Sequence, residues 1–317
     1  MPEGPSIIML KELVQPFIGK KILSVTGNSK QDIQRLSGQK VLDFKSWGKH
    51  FLICFNKFSI RIHFMLFGSY SINERKETKK TRLGLHFKEG ELLFYACSVK
   101  FIEENLDDVY DWRADVMNDN WSPARAKNKL KQIPDTLVCD ALLDQHIFAG
   151  VGNIIKNEVC FRIFLHPESN VGALPAKQLN QLIKEARNYS FDFLKWKKAY
   201  VLRKHWLAHT KKICPRCEIP FIKKYAGKTQ RRTFFCINCQ VLYNNLPLKN
   251  NSNDGTVIVK NKKQQLQGMI RKLKSGEYRL YSRVKDTKTN KRKNLGTFNT
   301  LAAAKKHEQE IQYFKKK

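Results

Sequence analysis

Cys214-Pro215-Arg216-Cys217 and Cys236-Ile237-Asn238-Cys239 repeat one pattern, two thiols separated by two residues, with eighteen residues between the pairs. At that spacing two short thiolate-bearing turns close around a tetrahedral zinc ion. Four thiolates leave the ion no open position, so the expectation is one structural Zn2+ and no organic cofactor. Gln230-Arg231-Arg232-Thr233-Phe234-Phe235 runs into the second turn, which predicts a β-hairpin within a zinc finger over 208–243. An arginine on that hairpin, its base fixed by metal, can meet a phosphate. The other reading makes Arg231 and Arg232 solvated cations. Cys54, Cys97, Cys139 and Cys160 stand singly in apolar surroundings and read as reduced core residues.

Outward from this clamp the chain is strongly basic. Its 317 residues carry 59 Lys and Arg against 28 Asp and Glu, a formal charge of +31. Self-repulsion on that scale points to a polyanionic partner. No continuous apolar stretch or secretory leader is evident, so nucleic acid is expected rather than membrane, with a monomer in a cytoplasmic, nucleoid-associated location.

Ahead of the clamp, Ala149-Gly150-Val151-Gly152-Asn153 interrupts two helical patterns. Ser122-Pro123 opens a helix through about Lys131, Asp135 or Thr136 is placed to cap the next, and Ile154–Phe161 restarts after the glycines. A further helix runs from about Pro175 to Trp196, completing a helical domain over 122–207. The glycine turn allows backbone amides and a helix start to approach a phosphate, with Asn153 adding a side-chain donor; a plain helical hairpin also favours glycine there.

Residues 1–103 read as a two-layer β-sandwich with helices. Ile7, Ile8, Leu10, Leu13, Val14 and Phe17 mark an amphipathic helix, and seven strand-length runs follow, at 22–26, 40–44, 51–55, 60–64, 83–87, 92–95 and 99–102. Lys49, in Trp47-Gly48-Lys49-His50, either faces solvent at a strand start or contacts phosphate. Met65-Leu66-Phe67-Gly68 reads as a turn after an apolar strand, or as a wedge for a base stack. An acidic connector over 104–121 joins this domain to the helical one. Asn and Lys then dominate a linker over 244–265, and a small basic module of two strands and a helix fills 266–317. That module is either a stability cap or a nonspecific DNA grip built around Tyr278, Tyr281 and their basic neighbours. The fold class is therefore α+β, in several domains.

Met1-Pro2-Glu3-Gly4-Pro5-Ser6 is commonly a plain extended lead-in. Removal of Met1 would instead leave Pro2 as a secondary amine. Chain-terminal amines have a reference pKa of roughly 7.7–8, so a useful fraction is nucleophilic near neutral pH, and a neighbouring carboxylate can move protons.

Pro2-Glu3-Gly4-Pro5, Gly48-Lys49, Leu143-Asp144-Gln145 with Gly150-Val151-Gly152-Asn153, and the late cysteine hairpin occur together and in order. In this the chain resembles the formamidopyrimidine-DNA glycosylase and endonuclease VIII family over roughly its first 240 residues. The resemblance implies damaged DNA as partner and a bifunctional DNA glycosylase and abasic-site lyase. Pro2 would attack the sugar C1′ to form a Schiff base, and Glu3 would assist proton transfer. β,δ-Elimination would follow, with Lys49 near the lesion's phosphate. Asn153 and Arg231 would bind phosphate, Leu66 would intercalate, and Cys214, Cys217, Cys236 and Cys239 would hold zinc.

Tyr95–Phe101 lacks the arginine–phenylalanine loop of the branch that prefers oxidised purines. It looks closer to the endonuclease VIII-like branch and its oxidised pyrimidines. Ser6 stands where the family commonly has a second glutamate, which keeps open a noncatalytic damaged-DNA-binding or architectural protein.

Overall fold

The computed structural model describes residues 2–76, 78–244, 269–273, 275–285 and 292–314. The chain divides into two compact units, Met1–Leu246 and Pro247–Lys317.

In the first unit, α1 (Gly4–Leu13) is followed by β1 (Ser24–Thr26), β2 (Asp43–Trp47), β3 (His50–Cys54), β4 (Ser59–Ile72), β5 (Thr81–Phe87) and β6 (Gly90–Ile102). The strands pair antiparallel in one sheet of order β1-β5-β6-β4-β3-β2. The seven expected strands are six, because the runs at 92–95 and 99–102 are one strand bent at Ala96, whose φ is 45°. Opposite that bend β4 bulges. Phe64 pairs with Cys97 and Ser69 with Tyr95, which leaves Met65-Leu66-Phe67-Gly68 outside the ladder. These four residues make a bulge within a strand instead of the turn the sequence suggested. Gly68 is needed there, since a Cβ would stand 2.7 Å from the Phe64 Cβ and 2.9 Å from the Ala96 carbonyl.

β3 shows why its sequence is apolar throughout. Phe51 and Ile53 join the main core with Ile7 and Leu10 of α1 and Val14 just after it, whereas Leu52 faces a second cluster with Trp47, Ile102, Leu106, Tyr110 and Ala114. The connector supplies that second cover, with α2 (Leu106–Val109) and a 3-10 turn over Trp112–Ala114. Glu104, Asp107, Asp108 and Asp119 stay outside while Leu106, Tyr110 and Ala114 close the sheet.

The helical part comprises α3 (Pro123–Lys131), α4 (Val138–Ala141), α5 (Asn153–Arg162) and α6 (Ala176–Lys198). Ser122 caps α3 as its sequence promised, its Oγ accepting the Arg125 N–H at 3.2 Å. Neither Asp135 nor Thr136 caps α4; the cap position is Leu137, without a side-chain bond, because the chain stays extended there and bridges Asn170. α1 contributes to both cores, with Ile8 packing on the helical cluster. β7 (Ile222–Ala226) and β8 (Arg231–Phe235) form the expected hairpin between the cysteine pairs.

The second unit holds β9 (Met269–Lys272), β10 (Tyr278–Lys285), β11 (Arg292–Phe298) and α7 (Leu301–Phe314), with sheet order β11-β10-β9. β9 is a third strand that four residues of mixed character did not announce. Among the described residues no helix is long and apolar enough to cross a membrane.

Candidate active site and nucleic-acid interface

Glu3 is the residue on which the site is assembled. It is the N-cap of α1 with extended backbone, yet its side chain makes no bond to that helix. The carboxylate reaches α5 instead, accepting the Ile154 N–H at 2.8 Å and the Ile155 N–H at 3.2 Å. α5 has Gly152 as its cap and no acidic residue in its first turn, so a carboxylate from 151 residues away satisfies its leading amides. The sequence reading had those amides facing a phosphate. They are committed to Glu3, which is only 3% exposed. Burial pushes the Glu3 carboxyl above its ordinary range, and the Lys49 charge and the α5 amides oppose this only in part. Pro2 stands half-buried beside it.

Three glycines bring the rest of the site to Glu3. The Gly4 N–H donates to the Gly150 carbonyl at 2.9 Å. A Cβ on Gly4 would lie 2.8 Å from the Gly150 Cα, and one on Gly48 would lie 2.8 Å from the Gly150 nitrogen. Gly48 and Gly150 also have φ of +54° and +98°, where glycine is favoured. Asp115, 2% exposed, holds the Gly48 turn by accepting the Gly48 and Met117 N–H groups at 2.9 Å each. Gln145 accepts the Gly150 N–H at 3.1 Å.

Lys49, next in chain to Gly48, is thereby set on the same side as Glu3. Burial lowers its pKa, the Glu3 charge works the other way, and the Arg231 cation lowers it further. Glu3, Lys49 and Arg231 thus share one electrostatic neighbourhood. Arg231 is exposed at the start of β8, straight after the left-handed Gln230 (φ 46°).

Asn153 opens α5. Its Nδ2 donates to the Arg232 carbonyl at 2.9 Å, and its buried Oδ1 has no hydrogen-bond partner among the described residues. The side chain therefore ties helix to hairpin, a role that spacing alone did not suggest. Asn157 adds to the seam by accepting the Phe234 N–H at 3.2 Å. Lys156, fully buried, donates to Thr233 Oγ1 at 2.7 Å, and burial lowers its pKa. Glu158, equally buried, accepts the Leu207, Ala208 and His209 N–H groups at 2.8–3.0 Å. The hairpin turn is fixed by Asp140, whose carboxylate accepts the Lys228 N–H at 2.9 Å. Sequence reasoning missed Asp115, Asp140 and the polar run 156–158. The one available signal was the placement of three polar residues on a helix that otherwise reads as core.

The four clamp cysteines converge, every sulfur within 4.8 Å of the others, with Cys214 and Cys239 Sγ atoms 3.8 Å apart. Tetrahedral thiolate coordination at about 2.3 Å separates sulfurs by about 3.8 Å, so the cluster fits a metal ion. Cys97, Cys139 and Cys160 are buried apart from it, and Cys54 is half-buried. Leu66 lies in the β4 bulge, away from any core: Met65, Leu66 and Phe67 are 54%, 59% and 78% exposed.

Residues 1–102 match the formamidopyrimidine-DNA glycosylase N-terminal domain, and residues 114–190 match the formamidopyrimidine-DNA glycosylase H2TH domain. Endonuclease 8-like 3 of Bos taurus is 31% identical over 67% of this chain, and the chain spans 37% of that relative's length. Endonuclease 8-like 2 of Bos taurus is 27% identical, with 76% of this chain matching 96% of the relative. Among solved structures, a viral DNA glycosylase superposes with a TM-score of 0.67 at 20% identity, covering 75% of this chain and all of its own. Lactococcus lactis formamidopyrimidine-DNA glycosylase bound to DNA containing an abasic site gives a TM-score of 0.67 at 19% identity, covering 75% and 99%. At such identities these structures establish a shared fold.

Proposed function

Because the chain belongs to the formamidopyrimidine-DNA glycosylase and endonuclease VIII family of DNA repair glycosylases, we propose that it excises oxidised bases, pyrimidines foremost, and then cleaves the abasic strand. After removal of Met1, the Pro2 nitrogen attacks C1′ of the damaged nucleotide. The new C–N bond forms as the glycosidic bond breaks, and the released electron pair leaves with the base. The Pro2 nitrogen gives up its proton, Glu3 delivers a proton to O4′ as the C1′–O4′ bond breaks, and the opened sugar is left as an iminium on Pro2. Loss of a C2′ proton then drives β-elimination at the 3′ phosphate, and δ-elimination releases the 5′ phosphate. Water finally returns the free amine. Reaching C1′ requires the nucleotide to leave the stack; Leu66 fills the space, while Lys49, Arg231 and Asn153 hold the flanking phosphates. The clamp metal is Zn2+, held by Cys214, Cys217, Cys236 and Cys239, and it fixes the hairpin that carries Arg231.

The seating of Glu3 carries this reading. A carboxyl that burial keeps inclined to hold a proton is anchored one residue from Pro2 and within the field of a lysine. In family terms the lack of the arginine–phenylalanine loop over Tyr95–Phe101 supports pyrimidine lesions.

Borohydride trapping on abasic DNA tests the chemistry. Protein shown by intact mass to lack Met1 should cross-link through Pro2, and Pro2→Ala should lose most of the product. No adduct, or a sugar mapped to a lysine, overturns the assignment, and tight binding without an adduct would favour a noncatalytic damaged-DNA binder. Side-by-side cleavage of thymine glycol, 5-hydroxyuracil, 8-oxoguanine and hydantoins tests the substrate; fastest excision of 8-oxoguanine contradicts the pyrimidine preference.

A further inference from the structure

Among the described residues of the C-terminal unit, one face of the sheet is covered by α7 and the other is left open. Leu280 and Ala304 are buried, and the Phe298 and His307 rings lie 5.2 Å apart, so α7 covers the side of Leu280 and Phe298. Register then assigns the other side. Tyr278 pairs with Phe298 and belongs to the covered face, whereas Arg279 and Tyr281 alternate to the open one.

Arg279 pairs with Arg271 of β9 on one side and Thr297 of β11 on the other. A row of Arg271, Arg279 and Thr297 therefore crosses the open face, and Tyr281 with Asn294 forms part of the next. Arg271, Thr297 and Asn294 are exposed, while Arg279 and Tyr281 are half-buried. Arg279 Nε donates to Thr297 Oγ1 at 2.9 Å, which holds the guanidinium across the sheet. Two arginines directly opposite on neighbouring strands repel, an arrangement that costs stability unless an anion lies over it. The wider field has the same sign, since residues 269–317 contain fifteen Lys and Arg against four Asp and Glu.

From this row and its charge we infer that the open face of β9, β10 and β11 docks on duplex DNA, damaged or intact, through phosphates and the major groove. Three strands at about 4.8 Å spacing span about 10 Å, within a major groove about 12 Å wide. Single strands are the poorer match, because successive bases need several stacking platforms and Tyr281 is the one aromatic that register assigns to this face among the described residues. The inference goes beyond the excision chemistry, as it concerns undamaged DNA and needs no step at Pro2.

The test uses the full chain, an undamaged duplex and a potassium chloride series. Arg271→Gln/Arg279→Gln should weaken binding about tenfold near 0.1 M salt and make the log–log salt slope shallower by about 2. Arg271→Gln alone, on an edge strand, should remove about half of the slope change. Lys305→Gln/Lys306→Gln, on the exposed side of α7, should keep affinity within about twofold of wild type. Borohydride trapping at saturating abasic DNA should be unchanged in all variants, which separates this inference from the assignment of Pro2. An unchanged slope in the arginine variants, an equal loss in the lysine pair, or wild-type preference for single strands that the arginine pair abolishes would overturn it.

Discussion

Gly152 leaves the room that Glu3 fills: a Cβ built on Gly152 would stand 2.3 Å from the Glu3 carboxyl carbon. The glycine is extended, with φ −122°, so contact rather than backbone strain excludes a side chain. Gly152→Ala should expel the carboxylate from the start of α5. We expect single-turnover excision to fall at least tenfold and stability to drop by about 1–3 kcal/mol, read from quench-flow and thermal melts. Activity and melting unchanged together would mean that Glu3 is not held where its function requires.

Asp115 should give the fold a pH signature. Burial raises its pKa to about 6 against the two N–H groups it accepts, above the unfolded value of about 3.9. Between those limits the folded state binds the extra proton, so this group's contribution to stability declines as pH rises from about 4 to 6 and is flat beyond. Across that window the loss amounts to about 3 kcal/mol. Asp115→Asn stays neutral throughout, so the stability difference between wild type and variant, measured by urea unfolding, should change across that window. A difference independent of pH would show that folding leaves this carboxyl's pKa unchanged.

Removing the metal should release more than the cysteine hairpin. Thr233 and Phe234 are bonded to Lys156 and Asn157 of α5, and the polar atoms of that seam become orphaned if the hairpin leaves. Chelation, or Cys236→Ser, should therefore increase hydrogen exchange in α5 as well as in 208–243 and weaken DNA binding. Elemental analysis should return one zinc per chain. Exchange confined to the hairpin would show that the seam is not cooperative.

Leu66→Ala should separate stability from function. The side chain is exposed on a bulge, so melting should move by no more than about 0.5 kcal/mol. Excision from duplex should fall, and excision from single-stranded substrate, where no stack is left to fill, should fall less. Equal losses on both substrates would remove the wedge role.

The local features of the fold were legible where short-range chemistry decides them. Ser122-Pro123 announced α3, the cysteine spacing announced the clamp, and the glycine pair announced the break before α5. The bend at Ala96 and the bulge before Ser69 were not legible, because each exists only in relation to the other strand. In the site, residue types pointed to Pro2, Glu3, Lys49, Asn153 and Arg231, and the structure brings the charges of Glu3, Lys49 and Arg231 within mutual influence. What holds them there could not be read in advance. Asp115 lies in a stretch whose acidity suggested a solvated connector, and Asp140 looked like an ordinary helical residue. Their roles come from backbone amides 67 and 88 positions distant, a separation that periodicity does not encode.

Gly4, Gly48 and Gly150 meet main chain to main chain, with the Asp115 and Gln145 side chains accepting the Gly48 and Gly150 N–H groups. Their spacing is set by backbone contact across one hydrogen bond, and a Cβ on Gly4 or Gly48 would force the segments apart. If the chain excises oxidised bases as proposed, lesion choice is open to variation around this hub, in the bulge and the cysteine hairpin.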